Sequence, residues 1–192
     1  MGALITRTRL IEGAATTLLA VVPSQVLGEW TVTGFAGVMT NDVWEEAITV
    51  IDADFLDSGL FGVGVERQIL RHGQLSFGLE LQVAKHFGTQ SNLEINTPLT
   101  LRYHRVGENF PWFEAIAFGL GISWASEVPA TEVNRNGAST QTMFYWMGEL
   151  QFDLPATDID LVTRIHHRSD GYGIFEVDSG SNALVIGLRH SF

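Results

Sequence analysis

The segment "IDLVTRIHHRSD", residues 159–170, carries an imidazole and a hydroxyl two positions apart, His167 and Ser169. In an extended strand, residues i and i+2 leave the same face, about 7 Å apart along the chain. An imidazole beside a hydroxyl is the minimal activated nucleophile, because the base takes the proton as the oxygen attacks an ester carbonyl. A third group must hold the ring in the tautomer that leaves its proton-accepting nitrogen unprotonated. The H-x-S spacing alone is a weak signal, and a polar pair near a strand end at a membrane interface would produce it as well. The neighbours of the pair make it informative. His167 and Ser169 share parity with Ile159, Leu161, Thr163 and Ile165, whereas Asp160, Val162, Arg164, His166 and Arg168 lie on the other side. Polar groups on a greasy face cost roughly several kcal/mol unless they are paired or sit near an interface. His166 belongs with the charged face and reads as a hydrogen-bonded interior histidine.

The element that positions this pair is one of a series. In "FEAIAFGLGISW" the large apolar residues Ile116, Phe118, Leu120, Ile122 and Trp124 alternate with Ala115, Ala117, Gly119, Gly121 and Ser123. The stretches around 75–86, 93–104 and 143–154 alternate in the same way, which is the strand signature. Eight strands are expected, at about 30–40, 58–67, 75–87, 91–105, 113–126, 141–154, 159–169 and 182–192. "RHGQ" and "PATD" mark tight turns, residues 127–140 a long polar loop, and residues 41–57 an external loop with a short helix or a strand extension. One face of strand after strand is bulky and apolar. The other carries Glu80, Glu94, Arg102, His104, Glu149, Asp153, Asp160, Arg164, Arg168 and Arg189 among glycines. A small all-β barrel accommodates that pattern: eight antiparallel strands, up-and-down and transmembrane, with lipid outside and a polar interior. A closed barrel also pairs every backbone group within lipid, which an open sheet does not. Trp30, Trp112, Trp124 and Tyr103 fall at strand ends, as an interfacial aromatic belt requires, and Trp146 points to lipid.

Composition narrows the class further. Lys and Arg number 11 against 22 Asp and Glu, a net charge of -11 that disfavours a nucleic-acid partner. With no cysteine, neither a disulfide framework nor a thiolate metal site can form. His72, His86, His104 and His190 lie on separate segments with no i,i+4 helical pair, so no metal and no cofactor is expected. Residues 1–28 resemble a signal peptide, with Arg7 and Arg9 ahead of the apolar run Ala14–Val22, and residues 29–192 form the barrel domain. Export through the periplasm to the bacterial outer membrane follows from that arrangement.

The end of the chain adds to this. "NALVIGLRHSF" sets Leu184, Ile186, Leu188, His190 and Phe192 on one face and finishes on an aromatic, similar to an outer-membrane barrel assembly signal. Together, "HRSDG", "PWFEAIAFGLGISWAS" and this closing strand resemble the outer-membrane lipid A 3-O-deacylases and their acyloxyacyl-hydrolase-like relatives. The likeness covers residues 30–192 in architecture and is specific mainly over 111–125 and 164–192. It implies an eight-stranded barrel whose seventh strand ends in H-x-S-N, a carboxylate at the start of the eighth strand, and a site that faces lipid. Here Asp170 replaces the Asn, and no Glu matches the carboxylate. Counting back from the C-terminus places Asn182 there, while counting forward from Ser169 gives Ser181. Asn182 shares parity with Leu184 and Ile186 and can orient an imidazole, as in the Cys-His-Asn arrangement. Glu176 or Asp178 could reach back instead.

The resemblance implies an outer-membrane serine esterase that removes an ester-linked acyl chain from lipid A or a related glycolipid. Ser169 would be the nucleophile, His167 the base, Asn182 the orienting group, and main-chain N–H groups near Asp170 and Gly171 the oxyanion donors. Lipid A within lipopolysaccharide is the substrate partner, and outer-membrane lipid surrounds the barrel. A homodimer is left open. The alternatives are a structural or adhesion barrel without catalysis on the same scaffold, and a soluble β-barrel holding a small apolar ligand.

Overall fold

The computed structural model describes residues 28–47, 53–104 and 110–192. The expected leader lies outside the described residues apart from Gly28. In chain order the elements are β1 (Trp30–Thr40), α1 (Trp44–Ala47), β2 (Phe55–His72), β3 (Leu75–Gly88), β4 (Leu93–Asn96), β5 (Leu99–His104), β6 (Phe113–Ala125), α2 (Ala130–Asn136), β7 (Thr142–Asp153), β8 (Ile159–Ser169) and β9 (Gly180–Ser191).

β4 and β5 are two halves of one stave, since both pair with β3 and with β6. The expected unbroken strand over 91–105 is interrupted at Thr97–Pro98 because proline has no N–H for the ladder. The chain still bridges its neighbours there. Thr97 N donates to Ile122 O at 3.0 Å, and Pro98 O accepts from Glu80 N at 3.0 Å. Gly121 makes room for the break, since a Cβ at that position would lie 2.2 Å from Thr97 O. Every pairing is antiparallel, β1 pairs with both β2 and β9, and the β2–β3 pairing completes the ring. The chain is therefore an eight-stranded antiparallel up-and-down barrel, as the alternation predicts. β2 is longer than expected and carries a bulge between Gln68 and Leu70.

The two faces separate as the sequence parity requires. Leu79 is 47% exposed on the outer wall, while its neighbour Glu80 is fully buried. Phe61, Phe77, Leu81, Phe118 and Leu120 are likewise exposed. This arrangement is the reverse of a soluble ligand-binding barrel, whose apolar face would turn inward.

Polar layers fill the interior. In one layer Arg102 Nη1 donates to Glu149 Oε1 at 2.6 Å and Nη2 to Glu66 Oε2 at 3.2 Å. Arg164 Nε also donates to Glu149, and its Nη2 donates to Glu80 Oε1 at 3.0 Å. The next layer centres on Glu94, which accepts from His86 Nε2 at 2.8 Å and from His166 Nε2 at 2.7 Å. His166 is thus the interior, hydrogen-bonded histidine its parity indicates. In the last layer Arg168 Nε meets Glu132 Oε1 at 2.8 Å. Glu132 comes from α2, which lies in the loop expected to be irregular, so that helix closes this mouth of the barrel with a buried ion pair. α2 ends at Gly137, whose φ of 82° terminates the helix as its N–H returns to Val133 O.

Candidate active site on the outer wall

His167 stands on the outer face of β8 between two directly opposed cross-strand neighbours, Trp146 of β7 and Asn182 of β9. Direct opposition brings side chains to about 5 Å at Cβ, so all three touch. The Nδ1 of His167 lies 2.5 Å from Asn182 Oδ1, and the Trp146 ring lies 4.6 Å from the imidazole, centroid to centroid.

The protonation of the ring follows from its surroundings. Asn182 Nδ2 donates to the main-chain carbonyl of Asp42 at 2.8 Å. A carbonyl only accepts, so the NH₂ end of the amide must face Asp42 and the oxygen end must face His167. The ring nitrogen facing that oxygen therefore carries the hydrogen and donates it. Nε2 is left with its lone pair, the state a general base requires.

Asp42 is itself held in place. Arg135 Nη1 of α2 donates to the same carbonyl at 3.1 Å, and Asp54 N donates to Asp42 Oδ2 at 2.8 Å. The segment carrying Asp42 runs into α1, which lies against β8 and β9. There Trp44 meets Trp146 edge-on at 5.5 Å, and Phe118 lies alongside Trp146 at 6.1 Å. The result is an aromatic ledge beside the imidazole, with Asn182 only 3% exposed beneath the loop and His167 half-buried.

Ser169 ends β8 on the same face, opposite Phe144 and Gly180. The fold brings His167 and Asn182 together and leaves Ser169 on the same face beyond hydrogen-bond contact; among the described residues its hydroxyl makes no hydrogen bond. Past Ser169 the loop turns back over the wall. Asp170 N donates to Ser179 O at 3.1 Å, and Asp170 Oδ2 accepts from Gly173 N at 2.7 Å. Gly171 has a φ of +67°, and a Cβ there would lie 2.1 Å from Phe144, so only glycine fits. Of the two expected oxyanion donors, Asp170 has its N–H engaged. That of Gly171 has no acceptor among the described residues. Glu176 and Asp178 are exposed in this loop, and neither is bonded to the His167 ring.

The sequence did not reveal Asp42 or Arg135 as parts of this site. Asp42 acts through its main chain, which has no residue signature, and Arg135 reaches it from a loop 93 residues away.

No family model matches the chain, and no curated protein is significantly similar to it in sequence. Among solved structures, the outer membrane enzyme PagL is similar at a TM-score of 0.55 with 11% identity, over 83% of this chain and 98% of that one. Neisserial surface protein A, NspA, is similar at 0.50 with 13% identity, over 85% and 97%. At such identities the likeness is one of fold: this chain shares the eight-stranded barrel of these outer-membrane proteins.

Proposed function

We propose that this chain is an outer-membrane serine esterase that removes an ester-linked acyl chain from lipid A or a related glycolipid. One observation carries the reading. On a face built for lipid, His167 is held by Asn182 with its Nε2 unprotonated and a serine two residues further along the same face. Ser169 at the end of that row has no hydrogen-bond partner among the described residues, and a substrate arriving laterally from the bilayer would meet it directly. The resemblance of "HRSDG" and the terminal strand to lipid A 3-O-deacylases supports the same substrate class.

In the reaction, Ser169 Oγ attacks the ester carbonyl as its proton passes to His167 Nε2. The Gly171 N–H is the donor available to the oxyanion. The imidazolium then protonates the departing sugar alkoxide oxygen as the C–O bond breaks, and interfacial water hydrolyses the acyl-enzyme by the same proton route. Ser169 must approach His167 as substrate binds, since catalytic contacts tighten in the reacting complex. The exposed ledge of Trp44 and Phe118 supplies an apolar rest for the acyl chain.

Purified protein in detergent is expected to release free 3-hydroxy fatty acid from lipid A, measured by mass spectrometry, and Ser169→Ala to release none while remaining a heat-modifiable barrel. Equal release by parent and variant removes Ser169 from the mechanism. A non-catalytic barrel for structure or adhesion is the second reading. The unengaged Ser169 hydroxyl favours it, and absence of release by the parent across lipid A types would favour it further.

A further inference from the structure

At the barrel mouth opposite α2 and the His167 wall, the lumen holds a cavity of about 290 Å³. Its lining is entirely polar and includes Glu29, Arg71, Ser76, His104, Glu114 and Asp153. Three of these are in register for chemistry. Ser76 Oγ is 2.9 Å from His104 Nε2, and His104 Nδ1 is 3.6 Å from Glu114 Oε1. We propose that Ser76, His104 and Glu114 form a second hydrolytic site, inside the barrel, for a short-chain ester of a polar alcohol.

Each residue reaches the site for a structural reason. Ser76 and His104 both occupy inward positions, on β3 and β5. Ser76 is directly opposite Arg102, so His104 is its diagonal neighbour on the same face. The His104 backbone is fixed by its N–H to Gln74 O at 2.8 Å. Glu114 has the parity of the outward residues Ile116 and Phe118. A bulge between Phe113 and Ala115 breaks that parity and turns the carboxylate toward the lumen. The serine–imidazole–carboxylate order is that of an acyl-transfer triad, recognised by geometry rather than by chain order. Arg71 is directly opposite Ser76 on the other side and lines the cavity, so a cation shares this cavity with the serine.

The chemistry balances without a cofactor. Ser76 Oγ forms a bond to the ester carbon as its proton moves to His104 Nε2. The carbon–alkoxy bond then breaks, and the alkoxide leaves as the alcohol with that proton. Water adds to the acyl-Ser76 by the same route, giving the carboxylic acid and free Ser76. Glu114 touches neither substrate nor Ser76 and is a positioning residue for Nδ1–H. The volume sits at the small end of ligand pockets, which start at about 300 Å³, and no apolar wall is present for a long acyl chain. A short acyl group, such as acetyl, therefore fits, and this site is independent of the one on the outer wall.

The test uses the full chain in detergent micelles with a fluorophosphonate probe and p-nitrophenyl acetate. Peptide mapping is expected to find an adduct on Ser76 in the parent and in Ser169→Ala. The latter should hydrolyse p-nitrophenyl acetate above the buffer rate, and adding His104→Ala should lower that rate about 10²-fold. Glu114→Gln should reduce kcat while KM is retained, which separates positioning from binding. A probe adduct confined to Ser169, or no adduct, overturns the proposal even if a variant fails to fold, because the mapping is done on the parent.

Discussion

The barrel presents two serine–histidine pairs, one on each face of its wall, and they are built in opposite ways. On the outer face the imidazole–amide contact is tight, His167 to Asn182 at 2.5 Å, and the serine hydroxyl is unengaged. In the lumen the nucleophile is engaged, Ser76 to His104 at 2.9 Å, and the orienting carboxylate lies further off at 3.6 Å. Strand geometry explains the contrast. Residues i and i+2 on one strand stand about 7 Å apart along the backbone, so Ser169 and His167 share a face without meeting. Residues on adjacent strands are neighbours, so His167 meets Asn182 directly opposite and Ser76 meets His104 on the diagonal without help. A hydrogen-bonded pair thus forms most readily across a ladder.

The surroundings differ as well. The luminal pair sits beside a network of buried arginines and glutamates, whereas the outer pair depends on a loop carbonyl and an aromatic ledge. Four expected outcomes sharpen or break this contrast.

The largest concerns His167, the proposed base. His167→Ala is expected to slow lipid A deacylation by at least about 10³-fold, the scale of losing a triad member, as measured by fatty acid release. A loss below tenfold would mean that Nε2 is not the base.

Next comes the luminal network. Glu149 is fully buried and bonded to Arg102 and Arg164, with Arg189 Nη1 at 3.3 Å. Glu149→Gln leaves buried guanidinium charge uncompensated and is expected to cost about 3–5 kcal/mol, as a shift of the urea unfolding midpoint in detergent. An unchanged midpoint would show that water reaches these arginines and that the lumen is wetter than its contacts indicate.

The orienting amide should have a smaller effect. Asn182→Ala frees the imidazole to take either tautomer and is expected to lower kcat on lipid A by about 10–10²-fold, with KM little changed. Should Asn182→Ala match the parent, ring orientation is set by Trp146 and not by the amide.

The smallest effect belongs to Arg135, which acts on His167 through Asp42 and Asn182. Arg135→Ala is expected to lower kcat by about threefold to tenfold, the scale of one hydrogen bond, with partial rescue in Arg135→Lys. Equal rates for Arg135→Ala and Arg135→Lys, both below the parent, would mean that guanidinium shape matters more than the charge.

Much of this was legible in the residues. Period-two alternation located the strands of the barrel, because one face must be apolar and the other polar when lipid lies outside. It also placed His167, Ser169 and Asn182 on a common face, and His166 on the other. Parity misled where the backbone departs from regular pleating. Glu114 counts as outward, yet a bulge turns it in; residues 91–105 count as one strand, yet Pro98 divides them. The helix α2 was also missed, since its short polar stretch has no apolar periodicity, and its Glu132 is buried among Arg168, Ser181 and Ser139, which all donate to it.

The amino-acid order by itself determined the barrel and the face on which each strand residue stands, because side-chain direction in a strand is a local property that alternates residue by residue. The tertiary structure alone decided which of those residues meet. Asp42 and Asn182 are 140 positions apart and Ser76 and His104 are 28 apart. Their contacts depend on ladder register, on where a bulge falls and on how a loop folds back over the wall, and each of these is set by closure of the ring as a whole.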